Sequence, residues 1–205
     1  VGAHWKEATT RLASVCEVMS ELIARHDPPS IHPQPPERYF DVLVSSIIGQ
    51  QLSVKAADTI EARLRDGFGA LSPETLARAE VPTLRAFGLS NSKASYIIGL
   101  AEAFANGQID PVQLEKLPDT EVVAQLTAVK GIGPWTAEMF LIFGMGHPDV
   151  WSPGDLGLKK AVWSLFGEDA DPTHTSERWR PYRSYAALYL WEHSDGKPGS
   201  AALQV

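Results

Sequence analysis

Val129-Lys130-Gly131-Ile132-Gly133-Pro134-Trp135-Thr136-Ala137 is the stretch on which the reading of the fold turns. Before it, Val122, Val123, Leu126 and Val129 recur at helical spacing, and Pro118-Asp119 marks the start of that helix. After it, Ala137, Phe140, Leu141 and Gly144 continue a second helix. Two glycines between two helices allow a hairpin too tight for side chains and let another backbone approach closely. Pro134 falls in the first helical turn, where its missing N–H would be unpaired anyway. The amides after Gly131 are expected to point outward at the mouth of the second helix, and such a mouth attracts an anion. The stretch reads as a clamp for a phosphate backbone. The plain alternative is an ordinary αα-hairpin turn, where glycine is common.

Further on, Trp151-Ser152-Pro153-Gly154-Asp155-Leu156-Gly157-Leu158 sets a lone carboxylate at the head of a helix. By itself Asp155 would read as an N-cap. Beside a phosphate clamp it also reads as the carboxylate that works there, and the two roles are compatible. Asp110 and Asp149 are the rival acids and read as loop or turn residues.

At 205 residues and 44% hydrophobic, the chain suits one domain, or one core with two lobes. Its single cysteine, Cys16, excludes a disulfide framework and any four-cysteine zinc or iron–sulfur site. Set among Leu12, Val15, Met19 and Leu22, Cys16 is predicted to be a buried apolar residue. His4, His26, His32, His147, His174 and His193 lack metal-ligand spacing, so neither a metal site nor a cofactor is expected. No apolar run reaches the roughly 20 residues of a membrane span, and no signal peptide is visible at the N-terminus. The expected compartment is reducing: the cytoplasm, or the nucleus in a eukaryotic cell. A net charge of −7 runs against the basic surface usual in DNA binders. Distribution matters more than the sum. Acids crowd Glu168-Asp169-Ala170-Asp171, whereas Lys130, Lys159, Lys160, Arg178, Arg180 and Arg183 gather in the motif-bearing half. A locally basic groove on an acidic body is expected.

No segment sustains strand alternation, so the fold class is all-α. A first helix is predicted over 6–26, ended by Asp27-Pro28-Pro29, and a second over Tyr39 to Ile48. Ser53 and Ser90 read as N-caps of longer helices that stop near Gly67–Gly69 and Gly107. Ser72-Pro73-Glu74 opens a short helix, and Pro82 to Phe87 forms another. After the hairpin come a helix from Asp155 to near Gly167, a last one from Pro181 to His193, and a frayed tail from Ser194.

Three further stretches carry a resemblance: Ile47-Ile48-Gly49-Gln50-Gln51-Leu52-Ser53-Val54-Lys55-Ala56-Ala57, then Gly88-Leu89-Ser90-Asn91-Ser92-Lys93-Ala94-Ser95-Tyr96-Ile97, then Arg178-Trp179-Arg180-Pro181-Tyr182-Arg183-Ser184-Tyr185-Ala186 running into Leu190-Trp191. In this order, with the hairpin and Asp155 between the second and third, the chain resembles the helix-hairpin-helix DNA glycosylases over residues 36–192. The nearest branch is 3-methyladenine DNA glycosylase II, the AlkA type. The resemblance implies two helical lobes around a DNA-binding cleft. It also implies a single glycosylase domain over 1–205, in compact form without the N-terminal α/β domain of the founding bacterial enzyme. It implies hydrolytic excision of alkylated bases, of the 3-methyladenine and 7-methylguanine type, from double-stranded DNA. No membrane partner is implied, and a monomer is expected.

The resemblance also distributes roles. Asp155 matches the catalytic aspartate. Trp135 stands where strand-cleaving members carry a nucleophilic lysine, which implies a monofunctional enzyme. Trp135 and Trp191 match pocket tryptophans whose ring faces attract a cationic alkylpurine; a large core aromatic is the alternative for each. Met139 and Leu156 replace tyrosines of the founding enzyme, which suggests a wider pocket; Trp151 reads first as a core aromatic, but lies close enough to Asp155 to line the pocket. Gln50 and Gln51 fall where the family inserts a side chain into the gap left by a flipped base, with Gln51 or Leu52 as the wedge. Ser53, Lys93, Lys130, Gly131, Gly133 and Thr136 complete the DNA-facing set, although a solvated lysine is the alternative for Lys93. A monovalent ion on hairpin carbonyls between Val129 and Gly133 in the DNA-bound state is implied by the resemblance alone. Two rival readings are a helix-hairpin-helix DNA-binding module without catalysis and a bifunctional glycosylase/lyase for oxidised bases. The Pro-Gly lead-in to Asp155 together with Gln50–Ala57 opposes the first. The tryptophan at the lysine position and the lack of cluster cysteines oppose the second.

Overall fold

A computed structural model describes residues 3–26, 31–69 and 71–195. Among them there is no strand, in line with the all-α expectation. In chain order the α-helices are α1 (Ala3–Val15), α2 (Glu17–Arg25), α3 (Tyr39–Gly49), α4 (Val54–Phe68), α5 (Pro73–Leu76), α6 (Val81–Arg85) and α7 (Asn91–Ala105). They continue with α8 (Pro111–Leu114), α9 (Asp119–Thr127), α10 (Pro134–Met139), α11 (Leu156–Phe166), α12 (Pro172–Ser176) and α13 (Arg183–Asp195). Short 3₁₀ turns cover Pro36–Arg38 and Glu177–Trp179, and a π turn, Phe140–Gly144, prolongs α10. No helix among the described residues is long and apolar enough to cross a membrane.

The chain divides into two compact units. One joins the residues up to Pro33 with those from Leu141 onward, and the other is built on Gln34–Phe140. In the first unit α13 is the central helix. Tyr185 to Trp191 are buried without a break, so α13 shows no apolar stripe because every face is covered. Helices α1, α2 and α11 pack on it. In the second unit α3 has the same place. Tyr39, Phe40, Val42, Leu43, Val44, Ile47 and Ile48 are all buried, and α4 and α7 lie against it.

The helix assignments need correction at four places. The predicted helix over 6–26 starts at Ala3 and is broken at Cys16, whose extended backbone (φ −155°, ψ 117°) caps α2. Hydroxyls near the break bond to their own backbone, Thr10 to the Lys6 carbonyl and Ser14 to the Arg11 carbonyl, which weakens a helix. Cys16 is accordingly half-buried rather than a core residue. Two short helices escape periodicity. Asp110 caps α8 through the amides of Val112 and Gln113, and Asp171 in the acidic stretch caps α12 through that of His174. The last helix begins at Arg183, not Pro181, and Ser194 is still helical. The expected Asp27-Pro28-Pro29 stop and the tail beyond Asp195 lie outside the described residues.

Candidate functional site

The expected site residues fall into two clusters, one in each unit. The first surrounds the hairpin. Gly131 adopts φ +101°, a region favouring glycine, and a Cβ there would lie 2.3 Å from Cγ of Tyr96 on α7. The close approach at Gly131 is therefore that of a neighbouring ring. At Gly133 a Cβ would meet nothing within 4 Å, and the residue is exposed. The expectation of outward amides needs trimming, because the Ile132 N–H turns back to the Val129 carbonyl at 3.1 Å. Lys130 is exposed and Trp135 half-buried, whereas Thr136 and Met139 are buried. The carbonyls of Val129 and Gly131 each accept one N–H donor. Since a carbonyl oxygen has two lone pairs, both still suit a monovalent ion.

The α3–α4 turn belongs to the same cluster. Ser53 caps α4 through the Ala56 amide, and Gln51 and Leu52 are exposed at the tip. Gln50 turns inward, and its Nε2 donates to the Gly131 carbonyl at 3.0 Å, tying the turn to the hairpin. Lys93 is neither a solvated lysine nor an open cation. Its Nζ donates to the carbonyls of Ile48 (2.8 Å) and Gln50 (2.6 Å). Burial lowers its pKa from the usual lysine value.

The second cluster surrounds Asp155, which caps α11. Its Oδ1 accepts the Leu158 amide at 2.8 Å and Nε1–H of Trp191 at 3.0 Å. Trp191 is buried and stacks on Phe143, with ring centroids 6.0 Å apart. Sequence reading assigned no role to Gly157. A Cβ there would lie 3.1 Å from Asp155 Oδ1 and 3.3 Å from Trp191 Cδ1, so the residue leaves space where the indole meets the carboxylate. A glycine in the first turn of a helix, where alanine is better by roughly 1 kcal/mol, was the available signal. Leu156 is 58% exposed and lines a surface hollow with Lys160, Ser164 and His193. Trp151 is buried against Trp179.

The expected basic groove loses two of its members. Arg180 and Arg183 pair with Asp149 at 2.7 and 2.8 Å, and both also reach Glu177. Arg178 sits over the Phe166 ring at 5.4 Å. These cations neutralise local acids and cover an aromatic face. No group of three or more His, Cys, Asp or Glu among the described residues is arranged to hold a metal ion.

An all-α chain with a helix-hairpin-helix and a capping aspartate downstream has the architecture expected of a helix-hairpin-helix protein. Residues 44–180 match the HhH-GPD superfamily of base excision DNA repair proteins, and the chain belongs to that family. It is similar to the alkylbase DNA glycosidase-like protein mag2 of Schizosaccharomyces pombe, at 30% identity over 93% of this chain and 94% of that one. The crystal structure of a DNA-3-methyladenine glycosidase from Bacillus halodurans superposes with a TM-score of 0.81, at 37% identity over 92% of this chain and 89% of that one. The Schizosaccharomyces pombe 3-methyladenine DNA glycosylase Mag1 in complex with abasic DNA gives 0.79, at 28% identity over 92% and 96% of the two chains. The chain spans 58% and 60% of the length of relatives from Bacillus subtilis and Escherichia coli.

Proposed function

We propose that this protein is a monofunctional DNA glycosylase, one domain folded as two units, that releases alkylated bases from duplex DNA and leaves an abasic site. The observation that carries the reading is Asp155. It heads α11 in the family's motif, and its Oδ1 takes two neutral N–H donors that orient the carboxylate without cancelling its charge. A base stacked in a duplex must be flipped out before it can be reached. Breaking the bond from C1′ to the base sends the bonding pair to the leaving base and builds positive charge on the sugar. Asp155 stabilises that charge and accepts a proton from the water whose oxygen adds to C1′. An N3- or N7-alkylated purine already carries a positive charge, so it leaves neutral, which favours the 3-methyladenine and 7-methylguanine type.

Lys130 and the amides around Gly131, Gly133 and Thr136 grip the phosphate backbone. The carbonyls of Val129 and Gly131 would hold the family's monovalent ion, which supplies positive charge near a phosphate. Gln51, with Leu52 beside it, fills the gap in the duplex. Trp135 offers no amine where strand-cleaving members attack the sugar.

Base release from methylated duplex DNA tests the reading. The expected result is free 3-methyladenine and 7-methylguanine, an unbroken abasic strand and no covalent adduct after borohydride. Trapping with strand cleavage would make the enzyme a glycosylase/lyase. Binding without release would make it a DNA-binding module.

A further inference from the structure

The turn between α3 and α4 is Gly49-Gln50-Gln51-Leu52. Gln50 has φ −51° and ψ 125°, Gln51 has φ 58°, and Leu52 N–H closes on the Gly49 carbonyl at 3.1 Å. This is a type II turn, whose third residue takes positive φ and is usually glycine. Gln51 is the one non-glycine residue at positive φ among the described residues. An L side chain is disfavoured there and persists only where its surroundings over-determine the conformation.

The same four residues could close a type I turn with the same terminal hydrogen bond and no positive φ. The two forms differ by a flip of the central peptide, whose carbonyl belongs to Gln50. That carbonyl is the one Lys93 Nζ holds at 2.6 Å, while the same ammonium holds the Ile48 carbonyl in the last turn of α3 at 2.8 Å. Lys93 is itself fixed, because Ser90 caps its amide at the start of α7. On the far side, the Gln50 side chain anchors to Gly131. Relaxing the flip would redirect the Gln51 side chain and leave the helices on either side in place.

We propose that Lys93 is a positioning residue. Its ammonium latches the Gln50–Gln51 peptide in the type II orientation and thereby aims Gln51 into the gap of a duplex from which a base has been flipped. The substrate part of this proposal rests on the glycosylase reading, and the latch itself does not.

The test uses Lys93→Met, which keeps the aliphatic stem and removes the cation, with Lys93→Arg as the charge-preserving control. Each protein is saturated with a duplex carrying 2-aminopurine opposite a tetrahydrofuran abasic analogue, so that fluorescence reports what enters the gap. Lys93→Met should lose at least about half of the wild-type fluorescence change, and Lys93→Arg should recover part of it. In single-turnover release of 7-methylguanine, Lys93→Met should be slowed about tenfold or more on duplex and by less than about twofold on single strands, which present no gap. Unchanged fluorescence, or equal slowing on both substrates, overturns the proposal. If Lys93→Met fails to fold by circular dichroism, Gln50→Leu loosens the other anchor. A selective duplex defect then supports the latch, and its absence overturns it. Should the wild-type protein release no base at all, the glycosylase reading falls while the fluorescence comparison still decides the latch.

Discussion

Asp149 and Asp155 lie a few residues apart in the same unit, and the donors that α11 and α13 give Asp155 Oδ1 differ in kind from the guanidinium groups on Asp149. Asp149 receives Arg180 Nη1 on Oδ2 at 2.7 Å and Arg183 Nε on Oδ1 at 2.8 Å, with the Arg183 backbone amide at 3.2 Å. Asp155 receives an amide and an indole N–H on Oδ1. Guanidinium partners cancel a carboxylate's charge, so Asp149 has little field left for a cation developing on a sugar. Neutral donors fix the direction of a carboxylate and leave its charge in place. Residue type is shared, and this donor chemistry supports Asp155 rather than Asp149 as the candidate acid.

The largest effect that can break this contrast is Asp155→Asn. Base release from methylated duplex should fall by about 10²–10³-fold, the scale of removing one preorganised electrostatic contact. Asparagine caps a helix as well as aspartate, so the thermal midpoint and the affinity for duplex should change little. Release near the wild-type rate by the folded variant would remove Asp155 from the chemistry. Asp149→Asn should behave in the opposite way. The Arg183 side chain is only 12% exposed and loses the nearer of its two counter-charges, with Glu177 remaining at 3.1 Å, so stability should drop by about 1–3 kcal/mol. Chemical denaturation reads that loss, while base release by the folded variant should stay within about threefold. A large catalytic loss without a stability change would mean that the two acids had been assigned the wrong way round.

What the sequence disclosed follows the range of the interactions involved. Helices α4, α7 and α11 were legible because Ser53, Ser90 and Asp155 mark their starts locally. Helices α8 and α12 were not, because Asp110 read as a turn residue, Asp171 counted only as part of an acidic stretch, and four or five residues hold no period. Asp155 was legible through its motif. The indole that orients it comes from α13, and the space for that contact comes from Gly157, which no periodicity marks. Arg180 and Arg183 counted as cations for a DNA groove because their partner Asp149 is distant in sequence. Lys93 misled in the same way: its ligands are carbonyls of another helix end, and a carbonyl leaves no trace in a sequence.

The smallest effect sharpens the contrast most. Trp191→Phe keeps a ring against Phe143 and deletes the N–H that reaches Asp155. One hydrogen bond to a charged acceptor is worth about 1.5 kcal/mol, so release should slow roughly tenfold. If Trp191 works by orienting the carboxylate, 7-methylguanine and neutral hypoxanthine should slow equally, since Asp155 serves both. If its ring face instead attracts the charged base, 7-methylguanine should slow more than hypoxanthine, and Trp191→Leu, which also removes the ring, should widen the difference by up to about fivefold. A double-mutant cycle separates the two cases. In the Asp155→Asn background there is no charge left to orient, so Trp191→Phe should cost almost nothing further. A full tenfold loss in that background would show that the indole acts independently of the carboxylate, and the hydrogen bond between them would be packing alone.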